Sequence, residues 1–72
     1  MNTGERIAQL RNQKGYSQEY VAQQIGVSRQ AVHKWEKEIS SPDTSNLIAL
    51  AQILGTTVDY IVTGNSETAV TA

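Results

Sequence analysis

The chain has no cysteine, one histidine and one proline in 72 residues. Without cysteine there is no disulfide framework and no thiolate metal site. A single histidine is too few for a zinc site of the usual ligand types, so neither a metal nor a cofactor is expected. Serine and threonine are plentiful, but His33 is the only imidazole that could activate them. A glycine-rich phosphate loop and a paired-carboxylate spacing are both missing, and with them the sequence basis for an enzyme. No apolar run of signal length follows residues 1–6, and nothing approaches the span of a bilayer. The expectation is a cytoplasmic chain that stays off membranes. At this length it forms one small domain, near the size at which a single core only just suffices.

Basic residues are absent from the second half. All six (Arg6, Arg11, Lys14, Arg29, Lys34, Lys37) lie in the first 37 positions, against three acids (Glu5, Glu19, Glu36), for a balance of +3. From Glu38 onward there are four acids and no base, a balance of −4. The net charge of −1 and pI near 5.6 count against a nucleic-acid partner, for which a basic domain is the usual signature. Local field rather than net charge decides where an anion lands, and this chain is polarised.

The remaining signals are helical. Asn2 or Thr3 can cap a first helix, with Glu5 in its first turn and Gly15 beyond its end. Ile7 and Leu10 mark its inward face, and Arg11 falls on the same side. A guanidinium there needs a partner, because an unpaired buried charge is costly. The candidate is Glu36, at the edge of the inward face of a later helix. The second helix is predicted over Gln18 to Ile25, capped by Ser17 and closed by Gly26, with Val21, Ala22 and Ile25 inward. Only Gly26 and Val27 separate it from the next cap, Ser28, which forces a sharp turn between two helices. Val27 and Val32 are placed to form a hydrophobic staple across that start. Pro42 disfavours helix at Ser41, and Asp43 can cap a fourth helix over Thr44 to Leu54 that is apolar almost all round. Such a helix is either central or touches a second subunit. Gly55 ends it, Thr57 caps a short fifth helix over 58–62, and Gly64 closes that one. The expected domain is 1–64, followed by a frayed tail over 65–72.

Residues 28–37 organise the whole. At about 100° per residue, with Arg29 at zero, His33, Lys37, Gln30 and Lys34 fall between zero and roughly 140°. Ala31, Trp35 and Val32 fall on the opposite side, and Trp35 is a core residue by that spacing. The outward face carries basic groups and one amide but no carboxylate. Free backbone N–H groups behind the Ser28 cap add the positive end of the helix dipole. If this end enters a major groove, Arg29 can fork onto guanine, Gln30 can pair with adenine, and Lys34 can reach guanine acceptors one turn later. His33 can touch a base or a phosphate. Ser28, and Gln18 just after the Ser17 cap, are candidates to hold phosphates at helix starts. Ser41 and Thr44 can do the same beside the fourth helix, or simply cap it, and Lys37 adds either a phosphate contact or solvation.

The ordered set Ser17-Gln18, Val21-Ala22, Ile25-Gly26-Val27-Ser28, Val32, Trp35-Glu36, Pro42, Leu47, Leu50-Ala51, Leu54-Gly55, Val58-Asp59-Tyr60-Ile61 and Gly64 resembles the Cro/XRE family of helix-turn-helix regulators. The resemblance runs from about Glu5 to Gly64. It implies an all-α, λ-repressor-like five-helix domain with the helix-turn-helix at helices two and three. The implied function is binding of double-stranded operator DNA, commonly as a homodimer on a palindrome, and mainly repression of transcription. Arg29, Gln30, His33 and Lys34 would then read bases, Gln18 would contact the backbone, and Arg11 with Glu36 would match the family's buried ion pair. One departure stands out. Glu38 occupies the position where the family usually has glycine, so that it either accepts a left-handed conformation or changes how the helix ends. Its carboxylate is expected near the path of the phosphates, and the loop from Glu38 to Ser41 has no basic residue. The competing reading is a protein-interaction or antitoxin-like module with little DNA affinity of its own. It draws on the acidic pI, the apolar fourth helix, and Tyr60 and Val62 on the fifth.

Overall fold

Every helix begins at a residue whose side chain accepts a hydrogen bond from the backbone just ahead of it. The computed structural model describes residues 1–65 and contains α1 (Thr3–Lys14), α2 (Gln18–Ile25), α3 (Arg29–Glu36), α4 (Thr44–Leu54) and α5 (Val58–Thr63). Their N-caps are Asn2, Ser17, Ser28, Asp43 and Thr57. Each satisfies one of the donors a helix start leaves free, typically for about 1 kcal/mol. At α1 the arrangement is reciprocal, since Glu5 N donates to Asn2 Oδ1 (2.8 Å) and Asn2 N donates to Glu5 Oε1 (3.0 Å). Among the described residues there is no strand. The fifth helix runs one residue past its expected end, and the expected tail lies outside the described residues from 66 onward.

The core is drawn from all five helices: Ile7; Val21 and Ala22; Val32 and Trp35; Leu50, Ala51 and Leu54; Ile61. Burying each of the larger side chains contributes about 1.5–3 kcal/mol. Helix α4 packs on α1, α2 and α5, so its wide apolar surface belongs chiefly to the centre of the domain. Ile48 remains the exception, at 47% exposure.

Two positions fix how α3 is held. Gly26 takes φ 79°, and both it and Val27 donate to Ala22 O (2.9 and 3.0 Å), so that α2 turns sharply into the Ser28 cap. Val27 packs against the core cluster that contains Val32. Gly4 is buried in the first turn of α1, where a Cβ would collide with Trp35 O and lie 2.7 Å from Glu36 O. The last carbonyls of α3 therefore rest directly on the backbone of α1.

Candidate nucleic-acid interface

The two faces of α3 are chemically separate. Val32, Trp35 and Glu36 are buried, whereas Arg29, Gln30, His33 and Lys34 are exposed, as are the flanking Ser28 and Lys37. Ser28 Oγ accepts from Ala31 N at 3.1 Å, and the start of the helix contains no acid. Arg29 and Gln30 thus stand at the positive end of the helix dipole with no carboxylate in the first turn to offset it.

Behind this face lies a buried polar cluster. Arg11 Nε and Nη2 fork onto Glu36 Oε2 and Oε1 at 2.6 and 3.0 Å, and Arg11 Nη1 donates to Tyr16 O at 2.9 Å. Gln18 Nε2 completes the cluster by donating to Glu36 Oε1 at 2.9 Å. The Arg11 and Glu36 side chains are only 13% and 5% exposed, so their charges are matched where water screens them little. These bonds tie α3 to α1 and to the start of α2, which sets the orientation of the helix about its own axis. Gln18, expected to present its side chain to a phosphate, has one amide N–H committed to Glu36. Its second amide N–H and its place at the start of α2 are what remain for an outside partner.

Not all of the positive half of the sequence reaches the surface. Arg6 is 9% exposed and donates from Nε to Ile61 O (2.8 Å), from Nη1 to Met1 O (2.6 Å) and from Nη2 to Val62 O (2.9 Å). It closes the end of α5 with a cation, where the helix dipole favours one. Sequence reasoning had not placed Arg6 inward, although it stands four residues before Leu10 on the packed side of α1. With Arg6 and Arg11 internal, the four remaining basic residues are all exposed: Lys14 at the end of α1, and Arg29, Lys34 and Lys37 together. Exposed positive charge is therefore concentrated on α3 and its C-cap.

The end of α3 departs from expectation in one respect. Lys37 is the C-cap, and Glu38 follows at φ 61°, the one non-glycine residue with positive φ among those described. Glu38 N donates to Trp35 O (3.2 Å) and Ile39 N to Lys34 O (2.9 Å), the bonding pattern with which glycine-terminated helices close. Glu38 thus accepts the left-handed conformation, and the helix ends as it would with glycine. Its carboxylate, expected near the phosphate path, is bonded to α1, where Oε2 accepts from Gly4 N at 2.6 Å.

Ser41 and Thr44 are exposed beside the start of α4. The cap there is Asp43, whose Oδ1 accepts from Asn46 N (3.0 Å) and Ser45 Oγ (3.2 Å). A carboxylate already sits where an anion would bind, so this helix start is a poorer phosphate seat than that of α3. No group of acidic residues and histidine able to hold a metal occurs among the described residues, and none of their helices is long and apolar enough to cross a membrane.

The sequence profile of the helix-turn-helix family matches residues 7–61. The SPbeta prophage-derived uncharacterized regulator YonR of Bacillus subtilis is 39% identical over 61 residues, spanning 85% of this chain and 56% of YonR. Repressor protein C2 of Salmonella phage P22 is 36% identical over 68 residues, 90% of this chain and 32% of the repressor. The chain therefore spans between about a third and about half of these relatives. In structure, the P22 c2 repressor solved in complex with a synthetic operator superposes with a TM-score of 0.87 at 32% identity, covering 90% of this chain and 98% of that one. The regulator SinR, solved in complex with DNA, gives 0.77 at 28% identity, over 82% of this chain and 95% of its own. The match over 7–61, the two helices joined at Gly26-Val27 and the buried Arg11–Glu36 pair agree, and the chain belongs to the helix-turn-helix family of Cro/XRE-type regulators.

Proposed function

We infer that this domain binds double-stranded DNA with α3 in the major groove and acts in a transcriptional regulator, most plainly a repressor. The observation that carries this reading is the division of α3. Its buried face is held by Val32, Trp35 and the Arg11–Glu36–Gln18 cluster, while its outward face offers Arg29, Gln30, His33 and Lys34 without a competing acid. The operator complex of the P22 repressor and the DNA complex of SinR support it, since both proteins are similar to this chain along most of its length.

In this role Arg29 and Gln30 read bases at the helix start, Lys34 reads one turn later, and His33 reaches a base or the adjacent phosphate. Ser28, Gln18 and Lys37 contact the phosphate backbone, with Ser41 and Thr44 as weaker contributors because of Asp43. A cytoplasmic protein acting as a homodimer would meet two half-sites about 10 base pairs apart, so the operator should be palindromic.

The test is selection of bound duplexes from a random-sequence pool at moderate salt, with Arg29→Ala and Gln30→Ala run beside the wild type. A palindrome that degrades at different positions in the two variants is the expected result. A folded wild type that enriches no sequence would sink the reading. It would favour the protein-interaction module, for which Ile39, Ile48 and Val62, at 66%, 47% and 44% exposure, are the supporting observation. Sedimentation over a range of concentrations separates self-association from a heterologous partner.

A further inference from the structure

Glu38 is the one residue of the α3–α4 connection that is bonded across the fold to α1. Three observations meet there. The backbone at Glu38 is left-handed, which a residue with a Cβ adopts only at a conformational cost. Its carboxylate accepts from Gly4 N, one of the free donors in the first turn of α1, where negative charge is favoured. Gly4 itself is pressed against Trp35 O and Glu36 O, so that the start of α1 and the end of α3 form one packed joint. Asn2 already satisfies Glu5 N at the same helix start, and Glu38 supplies the acceptor for Gly4 that the local sequence does not.

We propose that Glu38 is a positioning residue for DNA binding, acting as a cap on α1 that fixes how the chain leaves α3 and hence where Lys37 and Ser41 present themselves to the phosphate backbone. The inference rests on the regulator reading above. Glycine at this position would relieve the left-handed backbone but leave the exit from α3 untethered, because a glycine has no carboxylate to reach Gly4. Glutamate keeps the glycine-like turn and adds the tether. Lys37 lies immediately before the tether and Ser41 three residues after it, so both inherit the orientation it imposes.

The effect of the tether is separable from that of the charge. Glu38→Gln and Glu38→Gly each remove one negative charge near the DNA, and therefore relieve any repulsion of phosphate equally. Only the glutamine retains an oxygen with the reach to accept from Gly4 N. The experiment measures the dissociation constant of all three proteins for the selected operator, well below their melting temperatures. Amide hydrogen exchange at Gly4 is followed in parallel without DNA. The tether predicts that Glu38→Gly binds about five-fold more weakly than Glu38→Gln, a coupling at the small end of those carried through one shared element. It also predicts faster exchange at Gly4 in the glycine variant, with protection restored in the glutamine variant. Equal affinity of the two variants would overturn the proposal, whatever their melting temperatures, since a purely structural role changes stability and not the affinity of the folded protein. A wild type that binds no duplex would remove the regulator reading and the binding role together. Gly4 exchange would then still decide whether the cap exists.

Discussion

The outward face of α3 and the packed side of α1 use the same residue type in opposite ways. Arg29 is exposed, and among the described residues its guanidinium makes no hydrogen bond within the chain. Arg6 and Arg11, eight or nine tenths withdrawn from water, donate to Met1, Ile61 and Val62 carbonyls in one case and to Glu36 and Tyr16 in the other. An arginine whose three nitrogens all donate inside the fold is part of the scaffold. One whose donors face water is available to an external acceptor. Counting basic residues along the sequence does not distinguish the two; the chain, at net charge −1, still offers an anion a positive surface because Arg29, Lys34 and Lys37 are exposed together on α3 and its C-cap.

The contrast is broken most severely at Glu36. Replacing it by alanine leaves Arg11 buried without its carboxylate and Gln18 without its acceptor. The loss of stability should be about 3–5 kcal/mol, read from urea unfolding with an unchanged dependence on denaturant; a loss below 1 kcal/mol, on the order of an exposed pair, would mean that the cluster is solvated. Gly4→Ala is the next largest. The added methyl meets the carbonyls of Trp35 and Glu36, and overpacking of this kind costs about 1–3 kcal/mol. Thermal melting would detect it, and an unchanged melting temperature would show that α1 and α3 separate without penalty.

Arg29→Ala sharpens the contrast from the other side. Stability should stay within about 0.5 kcal/mol, as for other exposed substitutions, while preference at one base position relaxes by roughly 1–3 kcal/mol. Binding profiles of variant and wild type that coincide at every position would remove Arg29 from the reading set. The smallest effect belongs to Lys37→Ala, which should weaken all sequences alike and lower the slope of affinity against salt by about one. A sequence-selective change would instead assign Lys37 to a base.

Much of the molecule was legible in the sequence because the relevant physics is local. Ser17, Ser28, Asp43 and Thr57 announce helix starts through a side-chain oxygen that reaches a backbone N–H three residues ahead. The division of α3 into Trp35 and Val32 on one side and Arg29, Gln30, His33 and Lys34 on the other follows from 3.6 residues per turn. Arg11 and Glu36 could be paired in advance only because each was inward on its own helix and each needed an opposite charge. Arg6 satisfied the same spacing argument, but its partners are carbonyls, which carry no signature in a sequence.

What the sequence by itself determined is therefore, to within a residue or so, where each helix begins and ends and which of its faces is apolar, since those depend on residues within one turn of one another. What only the tertiary structure decided is which charges remain available. Glu36 engages Gln18 at a separation of 18 residues, Glu38 turns to Gly4 across 34, and Arg6 reaches Ile61 across 55. Such bonds exist because packing of the shared core brings groups distant in sequence within about 3 Å of one another. The residues left over from them, on the outer side of α3, are the ones that can answer a partner.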